Sequence, residues 1–194
     1  MDINDSIRTR DWSKLIYYDP VTILRSLREK EIEIADQDID ERVRTLRANM
    51  LKPHREGREA ALLCHGIGSA VLNNTVYFAR SEKSDYDFIS MWITGDTQHY
   101  SPVQIKELVP LDINPYLDLN KLISSLHKYN DSRDLTVAIH TNRQGTIDIS
   151  QIVVPQLNIR ELWLFGSLTL DQSKWFLLGD LIKDINYYEF YYPA

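Results

Sequence analysis

The residues best suited to chemistry in this sequence are Asp87 and the short motif Gln104-Ile105-Lys106. A carboxylate, an amide oxygen and a backbone carbonyl together form a hard, oxygen-rich donor set of the kind that binds Mg²⁺. A lysine ammonium beside that set could orient a water molecule or stabilise negative charge on a phosphate. We therefore predict that these residues form a site for a metal ion and a phosphate group.

Two neighbouring strands are needed to bring these residues together. Residues 88–93 and 102–108 predict strands, and the intervening Thr94-Gly95-Asp96 is typical of a turn. If these strands pair as a hairpin, Asp87 and Lys106 reach the same sheet face near one end. Because side chains alternate along a strand, the glutamine of the motif shares the face of the lysine, and the residue between them points into the core.

Helical patterns dominate the chain before this hairpin. Asp19-Pro20 predicts a helix start. A second helix is predicted from one apolar face, formed by Ile39, Val43, Leu46 and Met50, and Pro53 is expected to end it. A third helix is predicted from about Glu56 to about Asn73. Its two glycines, Gly66 and Gly68, imply close packing or a break.

The chain after the hairpin predicts a crossover helix and further strands. The helix has Leu119, Leu122, Ile123 and Leu126 on one side. The strand at 135–139 follows it, and the crossover lets that strand lie parallel to an earlier one. Three more strands are predicted, at 162–165, 175–178 and 187–192. We therefore expect an α/β fold with a mixed sheet in a single domain over residues 1–194.

This order of elements resembles the PD-(D/E)xK, or restriction-endonuclease-like, nuclease superfamily, in its Gln-x-Lys form. The resemblance covers about residues 56–143, preceded by a helical extension at 1–55 and followed by additional β-strands at 144–194. It implies a Mg²⁺- or Mn²⁺-dependent hydrolase of DNA phosphodiester bonds. The implied catalytic residues are Asp87, Gln104, Lys106 and Glu59.

The resemblance also implies how the metal and the nucleic acid are held. The metal ligands would be Asp87, the backbone carbonyl of Ile105 and the helical carboxylate Glu59. Phosphate contacts would come from a local basic patch that includes Arg55, Arg58 and Arg143. Glutamine in place of the glutamate of many members removes one negative charge from the site.

Two alternatives remain open on the sequence. Gly68-Ser69 with Asp85, Asp87 and Asp148 is similar to the nucleotidyltransferase pattern, although the Gly-Ser pair should then follow a strand. A catalytically inactive nuclease-like binding domain is the other, because fold does not imply function. Lys106 separates the two enzyme hypotheses, since the transferase pattern gives it no task.

Composition limits the class of protein. The net charge of −6 argues against a surface that is basic throughout, although a local patch can still bind phosphate. One cysteine excludes an internal disulfide framework. The apolar runs are too short to cross a bilayer and the acidic N-terminus lacks the pattern of a signal peptide. We expect a cytoplasmic protein without a membrane partner, and the oligomeric state, a homodimer included, stays open.

Overall fold

The computed structural model describes residues 9–81, 86–129 and 132–194. Residues 9–12 are helical. The α-helices that follow are α1 (Pro20–Ile34), α2 (Glu41–Arg44), α3 (Lys52–Gly66) and α4 (Leu119–Ser124). Short 3₁₀ segments are found at Asn49–Leu51, Ser125–Tyr129 and Ile149–Gln151, and a π-helical segment, Ile67–Leu72, continues α3.

The β-strands of the described residues form one seven-stranded sheet. Its strands are β1 (Tyr77–Arg80), β2 (Phe88–Thr94), β3 (Thr97–Leu108), β4 (Ser132–Thr141), β5 (Ile159–Ser167), β6 (Lys174–Gly179) and β7 (Asn186–Tyr191). Their order in the sheet is the order in the chain. The α/β class and the mixed sheet predicted from the sequence are confirmed.

The sheet is antiparallel at both sides and parallel in the middle. β1, β2 and β3 form an antiparallel meander. β3, β4 and β5 run parallel to one another, and β6 and β7 return antiparallel. The helix α4 lies in the connection between β3 and β4, so the parallel pairing expected from a crossover helix is present.

Each face of the sheet has its own apolar core. On the face covered by α3, which we call the α3 face, Leu62 and Leu63 pack with strand residues such as Val103 and Ala138. On the opposite α4 face, the side chains of α4 pack with strand residues such as Ile139. Because β3 and β4 are buried on both faces, the faces to which their few polar side chains point decide where a site can form.

Local sequence explains where α1 begins. The carboxylate of Asp19 accepts a hydrogen bond from the backbone N–H of Val21 at 3.1 Å, and Pro20 occupies the first turn, where no N–H donor is needed. The start predicted at Asp19-Pro20 is therefore confirmed.

The predicted second helix is wrong. Only α2 forms, because Leu46 takes a left-handed backbone conformation with φ of 57° and the amides of Arg47 and Ala48 close back onto the carbonyl of Arg42. Met50, which the apolar stripe placed on a packed face, is 82% exposed. Pro53 lies in the first turn of α3 rather than at the end of a helix, because its missing N–H is tolerated there.

The two glycines near the end of α3 are sites of close packing, as predicted. A Cβ atom on Gly66 would lie 2.6 Å from Cε1 of Phe190 on β7, and one on Gly68 would lie 2.6 Å from the carbonyl oxygen of Asn74. At these residues the helix widens from α to π geometry, and it ends at Asn73 with φ of 47°.

Candidate functional site

Asp87 lies directly before β2 and is fixed to β3 by its backbone and by its side chain. Its N–H donates to the carbonyl of Val103 at 2.9 Å. Its Oδ2 accepts from the N–H of Ile105 at 2.7 Å and from the amide Nε2 of Gln104. The predicted contact of Asp87 with the first two residues of the motif, Gln104 and Ile105, is therefore present in the structure.

An open cleft of about 500 Å³ lies beside this contact. It is lined by residues from the start of α3, the end of β1, the start of β2 and the middle of β3, namely Pro53, Glu56, Arg80, Ser81, Tyr86, Asp87 and Gln104. The volume falls within the range of small-molecule sites, roughly 300–1,000 Å³. A ligand in the cleft would therefore contact the carboxylate and the amide directly.

The side chain of Gln104 tests whether a hard cation fits here. Its Nε2 donates to Asp87 and also to the backbone carbonyl of Ile105, at 3.1 Å. The amide head therefore sits between two oxygen atoms. A half-turn of the amide would place Oε1 where Nε2 now lies, so that three protein oxygens could act as ligands and waters would complete the octahedral shell of Mg²⁺. The residues predicted as metal ligands on β2 and β3 thus fit a divalent cation.

Burial shifts the pKa values of both Asp87 and Lys106. Burial raises the pKa of Asp87, against the lowering effects of the Ile105 N–H and of Lys106, while Glu56 and Glu59 raise it further. Burial lowers the pKa of Lys106, and the negative charge of Asp87 partly opposes that shift. The Lys106 Nζ lies 5.5 Å from the ring centre of Tyr129 on the α4 face. Each charged form is therefore favoured by the other and disfavoured by desolvation.

The helical carboxylate at the cleft is Glu56, which sequence reasoning missed. Glu59, the residue predicted for this role, lies on the α3 face, where its Oε1 is 2.9 Å from Nδ1 of His140 and both side chains are only 7% exposed. Glu56 lies one turn earlier on α3 and lines the cleft. Because residues three apart share a helix face, the sequence alone could not choose between the two glutamates.

A second cluster of polar side chains lies on the α3 face. Ligand atoms of Glu59, Glu107 and His140 lie within 4.8 Å of one another. Both oxygens of Glu107 are already held by the guanidinium of Arg47, with Nη1 to Oε2 at 3.1 Å, and Asn142 donates to Oε1 at 2.9 Å. Burial alone would raise the pKa of Glu107, but Asn142, Arg47 and His140 together hold it below its ordinary value.

This cluster can be explained without a metal. A cation at Glu107 would have to displace Arg47, whose positive charge already balances the carboxylate. Glu107 and Lys106 point to opposite faces of β3, as strand alternation predicts. None of the three cluster residues lines the cleft, and the cluster is a hydrogen-bonded network around the Arg47–Glu107 ion pair.

The arginines predicted to contact phosphate have other partners. Arg58 is only 12% exposed, pairs with Glu31 at 3.4 Å and donates to Gln172 at 2.5 Å. Arg55 donates weakly to the carbonyl of Leu46, at 3.5 Å.

Arg143 is surrounded by backbone. It donates to the carbonyls of three residues in the segment after β3, Val109, Asn114 and Leu117, at 2.8–3.0 Å. The arginine that lines the cleft is Arg80, whose guanidinium is 3.5 Å from Glu56.

The residues of the nucleotidyltransferase pattern are not brought together in the described chain. Gly68 and Ser69 lie in the π-helical segment that continues α3, and not after a strand. Asp148 caps a 3₁₀ turn and lines a different cleft, of about 280 Å³. Asp85 lies outside the described residues.

Comparison of the chain with protein-family models, curated proteins and solved structures gave no match. Among the described helices, none has both the length and the apolar composition needed to cross a membrane. Because no match was found, the function of the protein is inferred from the geometry of the cleft.

Proposed function

We propose that this protein is a Mg²⁺- or Mn²⁺-dependent nuclease that hydrolyses phosphodiester bonds of DNA in the cleft at Asp87. The observation that carries the proposal is the contact between Asp87 and the Gln104-Ile105-Lys106 motif across β2 and β3. The resemblance to PD-(D/E)xK nucleases implies catalytic roles for these residues, and the contacts of Asp87 with Gln104 and Ile105 support the proposal.

The surrounding elements support the same proposal. A helix precedes a three-stranded meander, and a crossover helix leads from the third strand to a parallel fourth strand. That is the element order expected of a restriction-endonuclease-like core. The site differs from the one that the resemblance implies in its helical carboxylate, because Glu56 rather than Glu59 lines the cleft.

The metal would be held by Asp87, Gln104 and the carbonyl of Ile105, and Glu56 also lines the cleft. When bound, it supplies a water of lowered pKa and polarises the phosphate. In the hydrolysis, the water oxygen would bond to phosphorus and lose a proton to solvent, while the bond from phosphorus to the leaving sugar oxygen breaks and that oxygen takes up a proton from solvent. Lys106 donates a hydrogen bond to the water or the phosphate, which orients the first and stabilises charge on the second.

Cleavage of DNA tests the proposal. Plasmid, linear duplex and single-stranded DNA are incubated with the protein and Mg²⁺, Mn²⁺ or EDTA. We expect cleavage only with the divalent ions, and a loss of roughly 100-fold or more in Asp87→Asn and Lys106→Met. Asp148→Asn is the matched control, because it removes a carboxylate outside the cleft, and it should cut like the wild type.

The dependence on metal concentration gives a second measurement. Gln104→Glu adds a negative charge to the donor set, so half-maximal cleavage should need less Mg²⁺. Equal cleavage by the wild type, Asp87→Asn and Lys106→Met would refute the assignment. Binding of Mg²⁺-nucleoside triphosphate that is lost in Asp148→Asn but not in Lys106→Met would favour the nucleotidyltransferase hypothesis. DNA binding without cleavage would favour a catalytically inactive binding domain.

A further inference from the structure

Four aromatic side chains lie together next to the cleft. Tyr86, which precedes Asp87, lines the cleft and makes an edge-to-face contact with Trp12, with ring centres 6.3 Å apart. The indole N–H of Trp12 donates to the Tyr86 hydroxyl at 3.2 Å. Tyr100 and Tyr17 continue the group, with ring centres 6.1–6.3 Å from their neighbours. Tyr86 is thus held by its contacts with Trp12 and by packing against the apolar core of the α4 face.

The cleft offers little positive charge to a nucleic acid. Arg80, its lining arginine, is 3.5 Å from Glu56, and Asp87 adds a second carboxylate to the lining. Lys106 is half-buried, and the chain as a whole carries a net charge of −6. Binding of duplex DNA depends mainly on neutralising phosphates along the backbone. Phosphate contacts alone would therefore give this cleft a low affinity for duplex DNA.

Stacking is the interaction that the cleft can offer instead. Every base has an apolar face that can lie on an aromatic ring, and this contact does not require a basic surface. In a duplex those faces are covered by neighbouring base pairs, whereas an unpaired nucleotide presents them. The open volume of about 500 Å³ lies in the size range of small-ligand sites.

We propose that Tyr86 stacks an unpaired base, so that the substrate of this cleft is a single-stranded segment of nucleic acid. The inference rests on the proposed nuclease function, and it names the form of its substrate. The base on Tyr86 would place the adjoining phosphate beside Asp87, which is the next residue in the chain. Trp12 supports the tyrosine from the side away from the base.

Binding is measured without cleavage, by fluorescence anisotropy of a labelled oligonucleotide in EDTA, single-stranded or annealed to its complement. We expect tighter binding of the single strand. Tyr86→Ala should weaken that binding by roughly tenfold, the size expected for one lost stacking contact. Tyr86→Phe keeps the ring and should bind nearly as the wild type does. Tyr116→Ala is the control, because Tyr116 is 83% exposed and lies outside the cleft.

Tryptophan emission gives an independent readout. A base on Tyr86 changes the surroundings of Trp12, so the single strand should alter the emission of the wild type and have a smaller effect on Trp12→Phe. Equal affinities of Tyr86→Ala and Tyr116→Ala, or tighter binding of the duplex, would overturn the inference.

The two proposals fail in different ways. Metal-dependent cleavage that depends on Asp87 but is indifferent to Tyr86 leaves the nuclease and overturns the stacking site. Single-strand binding that depends on Tyr86, with no cleavage under any metal, supports the stacking site and overturns the nuclease. Absence of both binding and cleavage overturns the two together.

Discussion

Replacing Arg47 with methionine is expected to destabilise the protein markedly, because it leaves the carboxylate of Glu107 without its main partner. The guanidinium binds both carboxylate oxygens, and the two side chains are only 18% and 13% exposed. Removing one partner of a buried pair costs about 3–5 kcal/mol. Asn142 still donates to the carboxylate, and some water reaches it, so we expect about 2–3 kcal/mol here.

Thermal unfolding measures this effect. For a chain of this length, each kcal/mol lowers Tm by roughly 2–4 °C, so Arg47→Met should melt roughly 4–12 °C lower. Glu107→Gln should also destabilise, and the double variant should lose less than the sum of the two single losses. The pair would then show a coupling energy of about 1–3 kcal/mol. Additive losses, within about 0.5 kcal/mol, would refute the view that the two groups form one buried unit.

The pH dependence follows from the lowered pKa of Glu107. A carboxyl group with a lowered pKa in the folded state adds stability that is fully present above its ordinary pKa of 4.5. That stability is lost as the pH falls through the lowered value. The difference in stability between the wild type and Arg47→Met should therefore be constant near neutral pH and should shrink below about pH 4.5. A difference that does not change on acidification would contradict the assignment.

Four further substitutions test the packing and the hydrogen bonds. Gly66→Ala should cost roughly 1–3 kcal/mol in denaturant unfolding, because its Cβ would meet the phenylalanine ring of β7. Gly57→Ala, on the same helix with nothing within 4 Å, should instead stabilise by up to about 1 kcal/mol; a loss there equal to that at Gly66 would exclude the clash. Arg143→Lys should lower the free energy of unfolding by about 1–3 kcal/mol, because backbone carbonyls lose their hydrogen-bond donors, and it should leave DNA affinity unchanged. Weaker DNA binding without a loss of stability would instead show that Arg143 contacts phosphate. Asp19→Ala removes the cap of α1 and should cost about 1 kcal/mol in the same unfolding assay, and no change would mean that the cap contributes nothing.

The sequence predicts the strands well because their signals are local. The turn at Thr94-Gly95-Asp96 separates β2 from β3, and the alternation at 102–108 places Gln104 and Lys106 on one face. The contact between Asp87 and Gln104 follows from those two facts alone.

What the sequence could not predict depends on long-range contacts. The stripe that includes Met50 has helical spacing but nothing to pack against, and Arg47 turns instead towards a carboxylate 60 positions away. The choice between Glu56 and Glu59 depends on His140, which reaches α3 from β4. No spacing within the helix contains that information.

The agreement between strand order and chain order has a consequence for how the protein folds. Every strand pairs with its neighbour in sequence, so the sheet can grow outward from the β2–β3 hairpin, through short loops at its antiparallel pairs and through longer crossovers from β3 to β4 and from β4 to β5. The slow, long-range step is the docking of the two ends of the chain against each other. The hydroxyl of Tyr192 bonds to the carbonyl of Leu24 across 168 positions, at 2.7 Å. We therefore expect α1 to dock last, and hydrogen exchange during refolding should protect the central strands before α1.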